Sequence, residues 1–279
     1  MKVAVYQCEG KSACKQENLE ILRQAALAAA GQGAQLLICP EMFLTGYRIG
    51  NQVFELAETV QGPSMQQAAQ TARIADIALL YGYPERAENA VFNSAILIDR
   101  NGNRLANYRK THLYGSEENR LFQAGDDLII TELEGVKVGL LICYDIEFPE
   151  AVRALTRAGA ELIVVPTALM EPHCWIARLI VPTRAVENQV FVAYANRCGH
   201  EADLDYCGSS CIVGPDGVDR ARAGRAEKMC VVDINPADIR TSREKFSYLT
   251  DLRPALYLNP VRKPPRLSDA AESDESQPD

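Results

Sequence analysis

The sequence predicts an α/β fold built on a mixed sheet or sheets, and three observations lead there. Apolar runs no longer than one strand recur along the chain, at residues 34–39 and 138–142 among others, without the polar alternation of a half-exposed strand. Stretches with apolar residues at helical spacing lie between them. Arg100-Asn101-Gly102-Asn103 joins two further strand patterns as a hairpin, so some neighbouring strands run antiparallel.

Taken in order, residues 2–7 open the chain as a strand. Residues 17–30 read as a helix, with Leu19, Leu22, Ala26 and Ala29 on one face and Gly31 and Gly33 to close it. Residues 34–39 form a buried strand that runs into Pro40 and Glu41. A helix over 65–77 and a strand over 78–83 follow, then the hairpin of 92–99 and 104–108. Residues 138–142 are the central strand, and a helix starts at once after it. Pro149 suits a first helical position, Glu150 the first turn, and Val152 and Leu155 an inner face that Gly159 ends. A buried strand over 161–166 leads to a helix over 175–188, which Pro182 is expected to kink or restart. Strands at 190–195 and 209–213, a turn at 214–217 with a short strand after it, and a strand at 229–234 complete the pattern. Residues 1–259 read as a single domain. From Pro260 the chain turns to Pro, Ser, Asp and Glu, so 260–279 is expected to be a disordered acidic tail. Leu-Leu-Ile-Cys occurs at 36–39 and again at 140–143, each followed two residues later by an acid, Glu41 and Asp145. That hints at two similar βαβ halves.

The totals narrow the function classes. With 47% hydrophobic and 24% charged residues among 279, the chain can bury a sizeable core. No apolar run approaches a membrane span of ~20 residues, and no signal peptide with a small-residue cleavage site is visible. A net charge of −8 argues against nucleic acid as partner. The nine cysteines are irregularly spaced, which favours reduced thiols in a cytoplasm over a disulfide framework.

Chemistry concentrates where buried strands end. Cys143 lies where a strand gives way to a helix entry, the usual place for ligands in open α/β sheets. A thiol needs a base or a cation to serve at neutral pH. Glu41, at the end of a buried strand, and Lys110, just past the hairpin strand, can supply both, while His112 leaves a Cys–His dyad as an alternative. Cys39 is the rival thiol, but Pro40 after it lacks the N–H that would stabilise a developing oxyanion, an effect worth ~3 kcal/mol. Tyr144, after Cys143, has one.

Cys-Pro-Glu41-Met, Tyr-Arg-Lys110-Thr-His-Leu and Leu-Ile-Cys143-Tyr-Asp-Ile-Glu-Phe-Pro-Glu150 resemble, in order and spacing, the three signature blocks of the nitrilase superfamily of carbon–nitrogen hydrolases. The resemblance runs over about residues 2–255. It takes in Tyr-Gly-Tyr-Pro-Glu85, Asn93-Ser94, Arg184-Ala-Val-Glu187-Asn188 and Ala195-Asn196, and looks closest to the 5-aminopentanamidases of bacterial lysine degradation. It implies a four-layer αββα sandwich with two mixed sheets, a homodimer or larger homo-oligomer, and a Glu–Lys–Cys triad without metal or organic cofactor. Glu41 would be the general base, Cys143 the nucleophile and Lys110 the oxyanion-stabilising cation. A second glutamate eight residues after the lysine falls on Glu118, with Glu117 beside it. Tyr47, Tyr144, Glu147 and Thr167 are the candidate substrate contacts.

Relatives that act on carboxylate-bearing substrates often carry arginine four residues after the nucleophile. Here that position is Glu147, which would attract an ammonium and favour an ω-amino amide such as 5-aminopentanamide. The blander reading pairs Glu147 with Arg153 or another basic residue. An N-carbamoyl amine hydrolase, an omega-amidase or a nitrilase could use the same triad, and a thiol redox protein would leave Glu41 and Lys110 idle. Cys198, His200, Cys207 and Cys211 lack metal-knuckle spacing, and Arg184, Glu187 and Asn188 read most simply as an internal ion pair with a cap.

Overall fold

The structure, a computed structural model, describes residues 1–257. Its frame is a pair of six-stranded mixed sheets. One runs β14 (Lys228–Asp233), β1 (Lys2–Gln7), β2 (Leu36–Ile38), β3 (Ala78–Ala87), β4 (Ala90–Ile98) and β5 (Arg104–Arg109). The other runs β13 (Asp219–Arg222), β12 (Cys211–Val213), β9 (Phe191–Asn196), β8 (Leu162–Thr167), β7 (Val136–Leu140) and β6 (Ile129–Leu133). β10 (His200–Glu201) and β11 (Leu204–Asp205) pair as a separate two-stranded hairpin.

Parallel pairing is confined to β1–β2–β3 and β7–β8–β9, and every flanking pair is antiparallel. The connections explain this, because parallel neighbours need a crossover long enough for a helix whereas antiparallel ones need only a turn. Helices Lys15–Gly31 and Pro63–Ala75 make the crossovers of the first sheet, and Pro149–Arg157 and Trp175–Asn188 those of the second.

The period of two along each strand separates the layers. Val3, Val5, Leu36 and Ile38 belong to the same core as Val138, Leu140, Leu162 and Val164 of the other sheet. Ala4, Leu37 and Leu79 point the other way, onto Leu19, Leu22, Ala26 and Ala68 of the first helix layer. Ala151, Val152, Leu155, Ile176, Val181 and Ala185 supply the apolar faces of the second helix layer. The result is the expected four-layer αββα sandwich.

Several elements escape a pattern search, among them the helix Pro236–Lys245, the β10–β11 hairpin, β6 and the helix Gly115–Leu121. β6 is half-exposed and joins β7 through Glu134 and Gly135, both at positive φ as a two-residue hairpin turn requires. Gly115–Leu121 is a helix too short and polar to show a period. Trp175–Asn188 does not restart at Pro182 but continues through it as one helix. The Thr183 hydroxyl donates to the Leu179 carbonyl at 2.7 Å, and Arg178 and Leu179 are exposed, so water can reach the disturbed carbonyls. The two halves do repeat each other's pairing order, but not as the tetrapeptides suggest. Residues 36–39 contain β2, the middle of a parallel trio, whereas 140–143 begin at the end of β7, its first strand.

Met1–Phe246 forms one compact unit, and Ser247 begins a second with the short helices Tyr248–Asp251 and Pro254–Tyr257. The expected acidic tail lies outside the described residues. The expectation of uniformly reduced thiols is corrected at one place, where Cys174 and Cys207 form a disulfide; the other seven cysteines are free.

Candidate active site

Glu41 follows β2, Lys110 follows β5, and Cys143 opens a 3-10 turn, Cys143–Glu147, just past β7. Cys143 sits at φ +47°, in the left-handed region that non-glycine residues seldom adopt, so the chain turns sharply at this thiol. Asp145 fixes that turn. Its buried carboxylate accepts the Ile142 N–H at 2.9 Å, the Tyr108 hydroxyl at 2.8 Å, the Thr111 hydroxyl at 3.0 Å and the His112 N–H at 2.9 Å. One acid thereby ties the turn of Cys143 to the segment that carries Lys110. His112 turns its Nδ1 to Asp145 at 2.8 Å and stacks its ring on Phe148 at 3.9 Å, so its partners are those of a brace rather than of a dyad base.

Lys110 is 1% exposed and bridges two carboxylates: its Nζ donates at 2.7 Å to Glu41 Oε1 and at 2.7 Å to Glu118 Oε1. Asn93 Nδ2 also donates to Glu41 Oε1, at 2.7 Å. Glu41 Oε2 is buried and takes no hydrogen bond from any described residue, which leaves it available as a base. The choice between the adjacent acids is plain. Glu118 is buried against Lys110 and accepts the Tyr47 hydroxyl at 2.8 Å, whereas Glu117 turns outward to Arg48. In a helix, successive side chains lie about 100° apart, so one of the pair faces in and the other out.

The electrostatics follow from burial. Burial raises the Glu41 carboxyl above its ordinary value, Lys110 opposes that rise, and the neighbouring Glu118 adds to it. Burial alone would depress the Lys110 ammonium, but Glu118 and Glu41 outweigh it and hold it charged well above the ordinary lysine value. Burial and then Glu41 push the Cys143 thiol well up, while Lys110 and the Ala168 N–H pull the other way. The resting arrangement is a neutral thiol beside a carboxylate of raised basicity and a fixed ammonium.

A cavity of about 220 Å³ opens at Cys143, with Tyr47, Tyr114, Tyr144, Glu147, Met170 and Trp175 in its wall. Tyr47, Tyr114, Met170 and His173 also border an adjoining basin of about 340 Å³. Tyr144 packs edge-on against Tyr114 at 5.3 Å and Phe148 at 5.0 Å. Glu147 is half-buried, and its carboxylate forms no ion pair with any described residue. Arg184 instead pairs with Glu187 at 3.1 Å and donates to the backbone carbonyls of Ile146 and Glu147 at 2.9 and 2.7 Å. Thr167 is in the frame rather than the wall: its hydroxyl donates to Val165 O at 3.0 Å, and its carbonyl accepts the Glu41 N–H at 3.4 Å. Asn93, Asp145 and Arg184 join the site as supports that spacing alone does not reveal. Of the four residues weighed as metal ligands, Cys207 is in the disulfide and His200 is hydrogen-bonded to Asp205.

Comparison with known proteins shows the family. The carbon-nitrogen hydrolase family model matches residues 2–244. "Hydrolase in pqqF 5'region" from Pseudomonas protegens is 49% identical, over 92% of this chain and 90% of that protein. An (R)-stereoselective amidase from Pseudomonas sp. is 37% identical, over 91% of this chain and 92% of its own. A solved glutamate-to-glutamine variant of the amidase from Nesterenkonia sp. AN1 superposes with a TM-score of 0.84 at 35% identity, covering 92% of this chain and 95% of that one. Its active-site cysteine carries the acetamide moiety of fluoroacetamide. The chain therefore belongs to the carbon–nitrogen hydrolase family of the nitrilase superfamily, as an enzyme that cleaves carbon–nitrogen bonds and has amidases among its relatives.

Proposed function

We propose that the protein is an amidase that releases ammonia from a linear primary amide bearing a distal amine, through a cysteinyl thioester. The observation that carries the reading is the buried Lys110 ammonium held between Glu41 and Glu118, with Glu41 Oε2 left without a protein donor. Glu41 takes the Cys143 proton as sulfur attacks the amide carbon, and the carbonyl π-electrons move to oxygen. Lys110 and the Tyr144 N–H, at the start of a helical turn where N–H groups lack intrahelical partners, stabilise that oxyanion. Glu41 returns the proton to nitrogen, the carbon–nitrogen bond breaks, and ammonia leaves a thioester. Water then attacks the thioester with Glu41 again as base, giving the carboxylic acid and the free thiol. Covalent capture at the cysteine of the Nesterenkonia amidase supports the same role for Cys143.

Glu147 supports the choice of substrate, as an unpaired carboxylate in an otherwise largely aromatic and apolar wall. A protonated amine at the far end of the amide satisfies it, and a carboxylate there does not. Ammonia release is to be compared on 5-aminopentanamide, an ω-carboxy amide of equal length, N-carbamoylputrescine and a short nitrile, with single-turnover trapping of the acyl enzyme by mass spectrometry. Cys143→Ala should abolish turnover and the acyl adduct while leaving the thermal melt in place. More than a trace of activity in that variant rejects the mechanism. A preference for the ω-carboxy amide rejects the substrate reading. Free thiols at seven positions fit a cytoplasmic enzyme. Trp175 and Leu179, 48% and 61% exposed and one helical turn apart, fit a self-associating face, to be checked by sedimentation.

A further inference from the structure

Behind the cavity lies a buried ion pair that the reaction does not use. Glu201, on β10, and Arg197 just before it are 6% and 1% exposed, with Arg197 Nε 3.9 Å from Glu201 Oε2. The Glu201 carboxylate accepts two successive backbone N–H groups, Tyr47 and Arg48, at 3.1 Å each. It also accepts the hydroxyls of Ser12 at 2.6 Å and Tyr206 at 2.5 Å. Arg197 donates to the carbonyls of Glu41 at 3.5 Å, Met42 at 3.4 Å and Glu9 at 2.5 Å, and lies over the Tyr206 ring at 5.4 Å. Gly46, at φ +88°, completes the fit, because a Cβ there would collide with Glu201 Oε1.

From this geometry we infer that Glu201 is a positioning residue for the oxyanion cation, acting through Tyr47; the inference rests on the triad proposed above. Tyr47 is held at its backbone by Glu201 and holds Glu118 Oε1 with its hydroxyl at 2.8 Å, the same oxygen that accepts from Lys110. The tyrosine is a strut with one end in the Glu201 carboxylate and the other on the lysine's carboxylate partner. Arg197 carries the second arm of the pair to the Glu41 backbone. Loss of the Glu201 anchor frees the Tyr47 amide, lets its hydroxyl leave Glu118, and gives Lys110 a second arrangement off the oxyanion position. Displacements of that size at a reacting centre are felt in kcat rather than in binding.

A double-mutant cycle between Glu201→Gln and Tyr47→Phe tests this. Two rates are read: kcat for 5-aminopentanamide, and alkylation of Cys143 by iodoacetamide, located by peptide mass. Glu201→Gln should lower kcat about tenfold with KM within about threefold, yet cost less than about twofold more in the Tyr47→Phe background, as residues coupled in one network do. Glu201→Asp, which keeps the charge but withdraws it from the two amides, should behave the same way. Equal losses in both backgrounds, or an unchanged kcat in both Glu201 variants, overturn the inference; so does failure of both variants to fold, which would make Glu201 a structural brace. Alkylation displaces iodide from carbon and needs no cleavage of an amide bond, so the cycle can be read from it alone. Cys143 that is alkylated normally in a protein inert on every amide overturns the proposed function, while the alkylation cycle still decides the role of Glu201.

Discussion

Replacing Glu147 by glutamine removes one negative charge from the cavity wall at nearly constant volume. The carboxylate is half-buried; Arg184 donates to the Glu147 backbone carbonyl, and with Lys110 it reaches the carboxylate only through the field, with no ion pair from any described residue. A carboxylate and an ammonium ~4 Å apart attract by ~1 kcal/mol in bulk water and ~4 kcal/mol at an effective dielectric of ~20. A half-buried position falls between these limits, near ~2 kcal/mol, or about 30-fold in kcat/KM. The assay is the ratio of kcat/KM for 5-aminopentanamide to that for pentanamide, which matches it in length and lacks the charge. Glu147→Gln should lower that ratio about 30-fold by acting on the amino amide alone, and Glu147→Arg should lower it further. Burial, opposed by Lys110 and Arg184, raises the Glu147 carboxyl, so in the wild type the ratio should fall as pH drops through a value above the ordinary 4.5. Added salt should shrink it as well. A ratio that stays within a factor of two in Glu147→Gln refutes the electrostatic account of specificity.

Three further predictions concern the machinery. Burial holds the Glu41 carboxyl above 4.5, and only its ionised form can take the thiol proton. The acid limb of kcat/KM for pentanamide should therefore lie above 4.5; a limb at or below it would remove Glu41 as the base. Lys110→Met strands two buried carboxylates, so kcat should fall at least 10²-fold and stability by about 3–5 kcal/mol at pH 8. Without the cation the folded carboxyls titrate above their unfolded value of about 4.3, so the deficit is complete above the folded values and fades toward that unfolded value. Melting temperatures of the two proteins should converge between pH 8 and 5. Asp145→Ala leaves the Ile142 N–H buried without an acceptor, at ~1–3 kcal/mol, and the buried Tyr108 hydroxyl with the Thr111 hydroxyl at 3.1 Å as its remaining partner. The half-exposed Thr111 and His112 donors can turn to water, so the melt should drop by about 5–15 °C, and a drop under 2 °C would discount the brace.

What the chain discloses in sequence is what depends on local pattern. Strands such as β1, β8 and β9 are apolar on both sides because two layers cover them, and that composition survives any choice of neighbours. β6 and the helix Gly115–Leu121 do not show, because a half-exposed edge and a seven-residue helix carry too few apolar positions to set a period. Glu41, Lys110 and Cys143 stand out because each follows a strand end and falls in a signature block. Glu118 does not stand out from Glu117 until the helix face is known. Asp145, Arg184 and Glu201 are ordinary charged residues in sequence, and apart from the local Ile142–Asp145 bond the backbone groups they hold at the site lie 33 to 154 residues away, a distance no local pattern spans. Thr167 shows the converse error, since a position at the right strand end can belong to the support of the base and not to the substrate wall.

The matching order of the two sheets gives the site its place. β2 and β8 are the equivalent middle strands of the two parallel trios, and the residues at their ends are Glu41 and Thr167. Those ends meet across the sandwich, Glu41 N–H to Thr167 O, so the base hangs from one half and is hydrogen-bonded to the other. Lys110 and Asn93 come from the first half, and Cys143 and Asp145 from the second, whose carboxylate reaches back to Tyr108 and Thr111. Neither half alone can bring Glu41, Lys110 and Cys143 together. The distance between the base and the nucleophile is set by the packing of Val5, Ile38, Leu140 and Val164 between the sheets, where interiors are too dense to drift. On the proposed mechanism, the proton transfer between Cys143 and Glu41 is thus held by the densest layer of the protein, while segments outside the sheets, around Tyr114, Met170 and His173, form the cavity wall.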